Sequence, residues 1–136
     1  MRYLLDSSVM IALASKGHPH LDRCESWFAS IHDFATCPVV EGALVRFLVR
    51  TGEPIASVRS ILSHFTIRSG HEFWPDTASY LDTDLTKVRG HQQVTDAYLI
   101  TLVRHHPGSK LATLDEGLAR LYPHEVHLIP EPGNAN

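Results

Sequence analysis

The sequence predicts an α/β domain: a central, mostly parallel sheet of about five strands with helices on both faces. Three observations predict it. Short apolar runs alternate with longer stretches of helical periodicity along the whole chain. The short runs are continuously apolar, as in strands buried on both faces. Gly and Pro punctuate the boundaries, as at Lys16-Gly17-His18-Pro19 and Pro107-Gly108.

Each element has its own reason. Tyr3–Leu5 is a first strand. Ser7 and Ser8 offer a cap for a short helix from Val9 to Ala14. His20 to Ile31 is helical, with Leu21, Cys24, Trp27, Phe28 and Ile31 on one face. Phe34–Cys37 is a second strand. Pro38 suits the first turn of a helix that runs to Arg50 and stops at Gly52. A further helix runs from Pro54 to Phe65, and Glu72–Trp74 is a third strand. Thr77 to Leu85 is expected to be helical, and Lys87 to Gln93 a polar loop. Val94 to His106 is an amphipathic helix. Lys110–Leu114 is a strand, Glu116–Leu121 a short helix and Val126–Ile129 the last strand. Pro130 to Asn136 is expected to be a loose tail.

The 136 residues suit one domain, 1–136. The chain has 43% apolar and 20% charged residues, an ordinary soluble composition. Asp6 interrupts the N-terminal apolar run, against a signal peptide. No apolar run approaches the ~18 residues of a membrane span. The expectation is a cytoplasmic protein with no membrane contact. Cys24 and Cys37 form no C-x-x-C pair and are expected to be free thiols. The net charge of −3 is unlike that of a nucleic-acid binder. Setting four acids aside leaves 11 Asp and Glu against 12 Lys and Arg, so a local acidic pocket accounts for the sign.

Those four acids are Asp6, Glu41, Asp96 and Asp115. Ligands of open α/β sheets bind beyond the carboxyl ends of the strands. Asp6 and Asp115 each end a strand. Glu41 begins a helix and is in line with its apolar residues Leu44, Val45 and Leu48. Asp96 begins another, in line with Leu99, Ile100 and Val103. A carboxylate in line with a buried face is costly unless something pairs it. Plainer readings exist: Asp6, Asp96 and Asp115 could each cap a helix, whereas Glu41 lies too far into its own. Carboxylates brought together repel one another and favour a cation. Hard ions such as Mg²⁺ or Mn²⁺ take such oxygen ligands. The chemistry that suits the set is phosphoryl transfer or phosphodiester hydrolysis.

With these motifs in order, the chain resembles the PIN-domain ribonucleases, specifically the VapC toxins of bacterial toxin–antitoxin pairs. The matching segments are Leu4-Leu5-Asp6-Ser7-Ser8, Val39-Val40-Glu41-Gly42-Ala43-Leu44, Val94-Thr95-Asp96-Ala97-Tyr98-Leu99 and Leu111-Ala112-Thr113-Leu114-Asp115. Ser7 stands where Thr is commoner. The resemblance implies a PIN-like three-layer α/β/α fold and an endoribonuclease dependent on Mg²⁺ or Mn²⁺. It implies Asp6 and Asp96 as principal metal ligands, with Glu41 and Asp115 completing the site. Ser7, Ser8 and Thr113 would orient ligands or water. It further implies a homodimer, a structured RNA substrate (tRNA, rRNA or mRNA) and a VapB-like antitoxin whose tail blocks the acidic site.

Other features are weighed against plainer readings. Arg46 and Arg50, and Lys87 and Arg89, could touch RNA or the antitoxin, or simply be solvated. His18 and His20 lack the spacing of a zinc motif and read as surface residues. His105 and His106 suit a helix C-terminus as cations. Trp27, Phe28, Phe47, Phe65 and Trp74 read as core. A dehalogenase-like phosphatase would need a second Asp where Ser8 stands. A receiver-like domain would need paired acids after the first strand. The remaining alternative is a catalytically inactive PIN-fold module that binds RNA or protein.

Overall fold

The computed structural model describes residues 1–132, in which five strands form one sheet. β1 (Arg2–Leu5) is central. β2 (Phe34–Thr36) and β3 (His71–Phe73) lie to one side, β4 (Ser109–Thr113) and β5 (Val126–Leu128) to the other. All four pairings are parallel, with Leu4 opposite both Ala35 and Leu111. Leu4, Leu5, Phe34, Ala35, Leu111 and Ala112 have no exposed surface, which is why these strands lack polar alternation.

The chain runs outward from β1 to β3, then returns to place β4 on the other flank of β1. The winding direction therefore reverses between β1 and β4. Such a switch point opens a crevice at the carboxyl ends of the two strands.

Among the described residues, six α-helices cover the sheet. α1 (Ser7–Ala14), α2 (Leu21–Ser30), α3 (Pro38–Arg50) and α4 (Ile55–Thr66) pack on one another. α5 (Val94–Arg104) packs on β4, and α6 (Glu116–Leu121) on β4 and β5. Right-handed crossovers put the first four and the last two on opposite faces. No helix among the described residues is long and apolar enough to cross a membrane.

The structure departs from the sequence reading in particular places. Thr77–Leu85 is not a helix; it holds a single 3-10 turn at Tyr80–Asp82. Ser79 accepts from the Leu81 N–H and Asp84 from the Thr86 N–H. Short polar side chains bind the backbone here and displace helix bonds. A similar turn, His91–Gln93, sits in the expected loop. The amphipathic α5 is instead buried throughout Ala97–Val103. One flank meets β4, while the segment before the helix covers another: the Tyr80 and Tyr98 rings are 5.0 Å apart and Asp84 pairs with Arg104 at 3.2 Å.

The expected loose tail is tied at its start. Arg23, buried in α2, donates to Ile129 O at 3.0 Å and Pro130 O at 3.2 Å and pairs with Glu131 at 3.1 Å. Residues 133–136 lie outside the described residues. His106 is not a helix-terminal cation: it stacks on Trp74 at 3.7 Å, and burial lowers its pKa. Trp27, Phe28, Phe65 and Trp74 are core, and Phe47 packs at its margin. Cys24 and Cys37 are free and buried, and burial pushes each thiol to about 11, which leaves them unreactive at neutral pH.

Candidate active site

Asp6 stands just past β1, where its N–H still donates to Ala112 O at 2.9 Å. That bond carries the sheet one residue further and fixes the side chain at the crevice, 8% exposed. Its Oδ1 accepts from Ser7 N at 2.8 Å, which makes Asp6, rather than Ser7 or Ser8, the cap of α1. Its Oδ2 accepts from Thr113 Oγ1 at 2.6 Å and Ser8 Oγ at 3.2 Å. Burial pushes its pKa up against these three bonds, and the charge of Asp115 pushes it further.

Thr113 ends β4 and is fully buried. Its Oγ1 also accepts from Asp115 N at 3.1 Å, and Ser8 Oγ accepts from Leu114 N at 3.3 Å. Two hydroxyls thus stitch the end of β1 to the end of β4 across the switch point. Ser7 contributes its backbone N–H.

Asp115 stands two residues past β4, one more than expected, because Leu114 intervenes. Its Oδ1 accepts from Leu118 N at 3.1 Å, so it caps α6. The plainer capping reading therefore holds for Asp6 and Asp115, yet both caps also face the crevice. Asp96 is no cap; it lies in the first turn of α5, and Gln93 holds the cap position. Burial, then the charges of Asp6 and Asp115, push its pKa up to about 6. Asp96 and Asp115 line one cleft with Gln93, Gly117, Leu118, Arg120, Leu121 and Tyr122.

The raised Asp96 has a stability consequence. Its folded pKa lies above its unfolded one, so it favours folding below about pH 4 and loses that contribution as pH rises through about 6. Asp96→Asn should therefore be more stable than wild type at pH 7 without added metal. The gain is on the order of 1 kcal/mol, because the group is only half-buried and water screens it. The gain should shrink toward pH 4. Urea denaturation of both proteins at pH 4, 5, 6 and 7 measures it; a constant difference would contradict the shift.

Glu41 is placed differently. It sits in the first turn of α3, half-exposed, and lines a groove with Arg59, Ser60, Ser63 and Thr66 of α4. Its Oε2 accepts from Thr36 Oγ1 at 2.8 Å, and the same hydroxyl lies 2.8 Å from His71 Nε2. Burial lowers the His71 pKa, while the charges of Glu41 and Glu72 raise it. The carboxylate charges acting on Asp96 are those of Asp6 and Asp115, not Glu41. The fold gathers three aspartates and holds the glutamate one strand away.

The basic candidates divide as well. Lys87 Nζ donates to Leu121 O at 2.6 Å and sits 4.8 Å from the Tyr122 ring, beside the aspartate cleft. Arg89 donates to Thr86 O at 3.0 Å, and its N–H to Gln93 Oε1 at 2.6 Å. Arg46 and Arg50 instead flank Phe47, Ile11 and Ala43 in a separate shallow groove. His18 Nδ1 accepts from the His20 N–H at 3.0 Å within its own turn. The sequence reading did not single out Thr36, His71, Arg120 or Tyr122. Thr36 carries one faint signal, a hydroxyl at the end of a strand five residues before Glu41.

Asp115 raises the pKa of Asp6, and both raise that of Asp96; three carboxylates so placed could hold a hard divalent cation. Among the described residues, no three His, Cys, Asp or Glu side chains form a ready-made metal cage. An open arrangement still suits Mg²⁺, which keeps several waters and takes only one or two carboxylates.

The model of the PIN domain matches residues 3–122, which include all four acids. The chain belongs to the PIN-domain family. This PIN domain is 50% identical over 131 residues to Ribonuclease VapC29 of Mycobacterium tuberculosis, covering 96% of this chain and 98% of that protein. It is 36% identical to Ribonuclease VapC38 of the same organism, over 87% of this chain and 88% of that one. Ribonuclease VapC44 is 32% identical, over 88% and 89%.

Proposed function

We propose that this PIN domain is a metal-dependent endoribonuclease, the toxin of a toxin–antitoxin pair. It cuts structured RNA (tRNA, rRNA or mRNA) by attack of water on a phosphodiester. One observation carries the reading: Asp6, Asp96 and Asp115 meet at the switch point between β1 and β4, and their charges act on one another. Relatives that match nearly end to end are named ribonucleases, which supports it.

In this reading Asp6 and Asp96 hold Mg²⁺ or Mn²⁺, with Asp115 and Glu41 completing the acidic site. The ion, when bound, activates water and stabilises the leaving oxygen. Thr113 and Ser8 keep the Asp6 carboxylate aimed into the crevice. Arg120, on the cleft wall, and Lys87, beside Tyr122, are the cations best placed to take flanking phosphates. Arg89 braces the loop that bears Gln93. Arg46 and Arg50 suit a partner contact away from the chemistry. The protein acts as a cytoplasmic homodimer. A VapB-like antitoxin inhibits it by placing a basic side chain among the aspartates, as charge complementarity favours.

The test is incubation of total cellular RNA with purified protein in Mg²⁺, in Mn²⁺ and in EDTA. Discrete fragments that require metal are expected, and their ends identify the target. Intact RNA in every condition, from folded protein, would favour an inactive RNA- or protein-binding module.

A further inference from the structure

We propose that His71, acting through Thr36, is a positioning residue for Glu41. The proposal rests on the reading of Glu41 as part of the acidic site. Thr36 ends β2, one residue beyond the Leu4↔Ala35 pair, so its hydroxyl stands at the same sheet edge as Asp6. It is fully buried. Its oxygen lies 2.8 Å from Glu41 Oε2 and 2.8 Å from His71 Nε2. Among the described residues, no Lys, Arg or His is ion-paired with Glu41.

Counting hydrogens orders this chain. An ionised carboxylate only accepts, and a hydroxyl has one hydrogen to give. Thr36 therefore gives its hydrogen to Glu41, and its oxygen accepts from His71. The imidazole must carry its proton on Nε2. That donation turns the Thr36 hydroxyl toward the carboxylate and polarises it, which strengthens the second bond. A glutamate has several rotatable bonds and drifts unless held, and this chain is the hold the structure gives it. His71 belongs to β3, whose backbone pairs with β2, so two strands fix the geometry.

A merely structural network would tie β2, β3 and α3 together without setting the rate. Four variants and the imidazole spectrum separate the cases. The substrate is an oligoribonucleotide bearing a cleavage site mapped with the wild type. Glu41→Gln should lose about 100-fold in kcat if Glu41 belongs to the site. His71→Phe should lower kcat about tenfold with KM nearly unchanged, the usual loss when the partner of an acidic ligand is removed. His71→Gln, whose amide can donate from a similar place, should recover to within about threefold of wild type. Nitrogen-15 NMR of the wild-type imidazole at neutral pH, without metal, should show the Nε2–H tautomer, and Thr36→Val should disturb it. Full activity in His71→Phe beside an inactive Glu41→Gln overturns the role of His71 alone. Failure of His71→Gln to recover, or an Nδ1–H tautomer, does the same. Full activity in Glu41→Gln overturns the reading of Glu41 itself, and this proposal with it.

Discussion

Asp6→Asn is expected to reduce metal-dependent RNA cleavage by roughly 100-fold or more, about 3 kcal/mol of transition-state stabilisation, while the protein stays folded. The substitution keeps the shape of the side chain and removes its charge. Asp6 is the acid most enclosed by the fold, with its carboxylate held by Ser7, Ser8 and Thr113. An asparagine can still accept the Ser7 N–H through its carbonyl oxygen, while its amide NH2 takes the Oδ2 position and donates to the Thr113 or Ser8 hydroxyl. It also removes a buried charge that repels Asp96 and Asp115. Thermal unfolding should therefore show a melting temperature no lower than that of wild type. Cleavage measured beside it, with the same RNA and Mn²⁺, gives the loss. Full activity in a folded Asp6→Asn protein would remove Asp6 from the mechanism.

Gly70→Ala should be the most damaging single methyl in the fold, at about 3–5 kcal/mol. Gly70 has φ of +92°, a region L residues rarely adopt. A Cβ there would overlap the His32 carbonyl oxygen and lie 2.9 Å from its carbon. Both obstacles are backbone, so no rotamer change relieves them. Gly70 O also accepts from Phe34 N at 3.0 Å, which begins the β2–β3 pairing. Moving the turn would pull β3 off β2, and His71 with it. A loss of that size is a large part of the ~5–15 kcal/mol that holds a domain together. Urea denaturation measures it; a loss under about 1 kcal/mol would mean the turn relaxes freely. Gly17→Ala is the useful control, because its φ is also positive while a Cβ there meets nothing within 4 Å.

Much of this molecule was legible in short segments. Tyr3-Leu4-Leu5 and Leu111-Ala112-Thr113 read as buried strands because each is too apolar to face water. Asp6 and Asp115 followed from strand ends. Glu41 and Asp96 followed from helical spacing, which sets a carboxylate in line with Leu44 or Leu99. Periodicity and capping are properties of neighbouring residues, so the sequence carries them directly. The same local reasoning failed at Thr77–Leu85, where Ser79 and Asp84 take the backbone bonds a helix needs. It also underestimated the burial of α5, since what covers a helix is decided by segments far along the chain.

By itself, then, the sequence determined most of the element types and the parallel sheet, and it singled out four candidate acids. Only the tertiary structure decided their partners. It brought Asp6, Asp96 and Asp115 within reach of one another's charge, because β1 and β4 become neighbours across more than a hundred residues of chain. It gave Glu41 to Thr36 and His71 instead, because β2 and β3 pair on the other flank of β1. Spacing along a chain fixes which face a side chain occupies. Which charges meet there depends on strand order, and that is settled by packing the whole sheet.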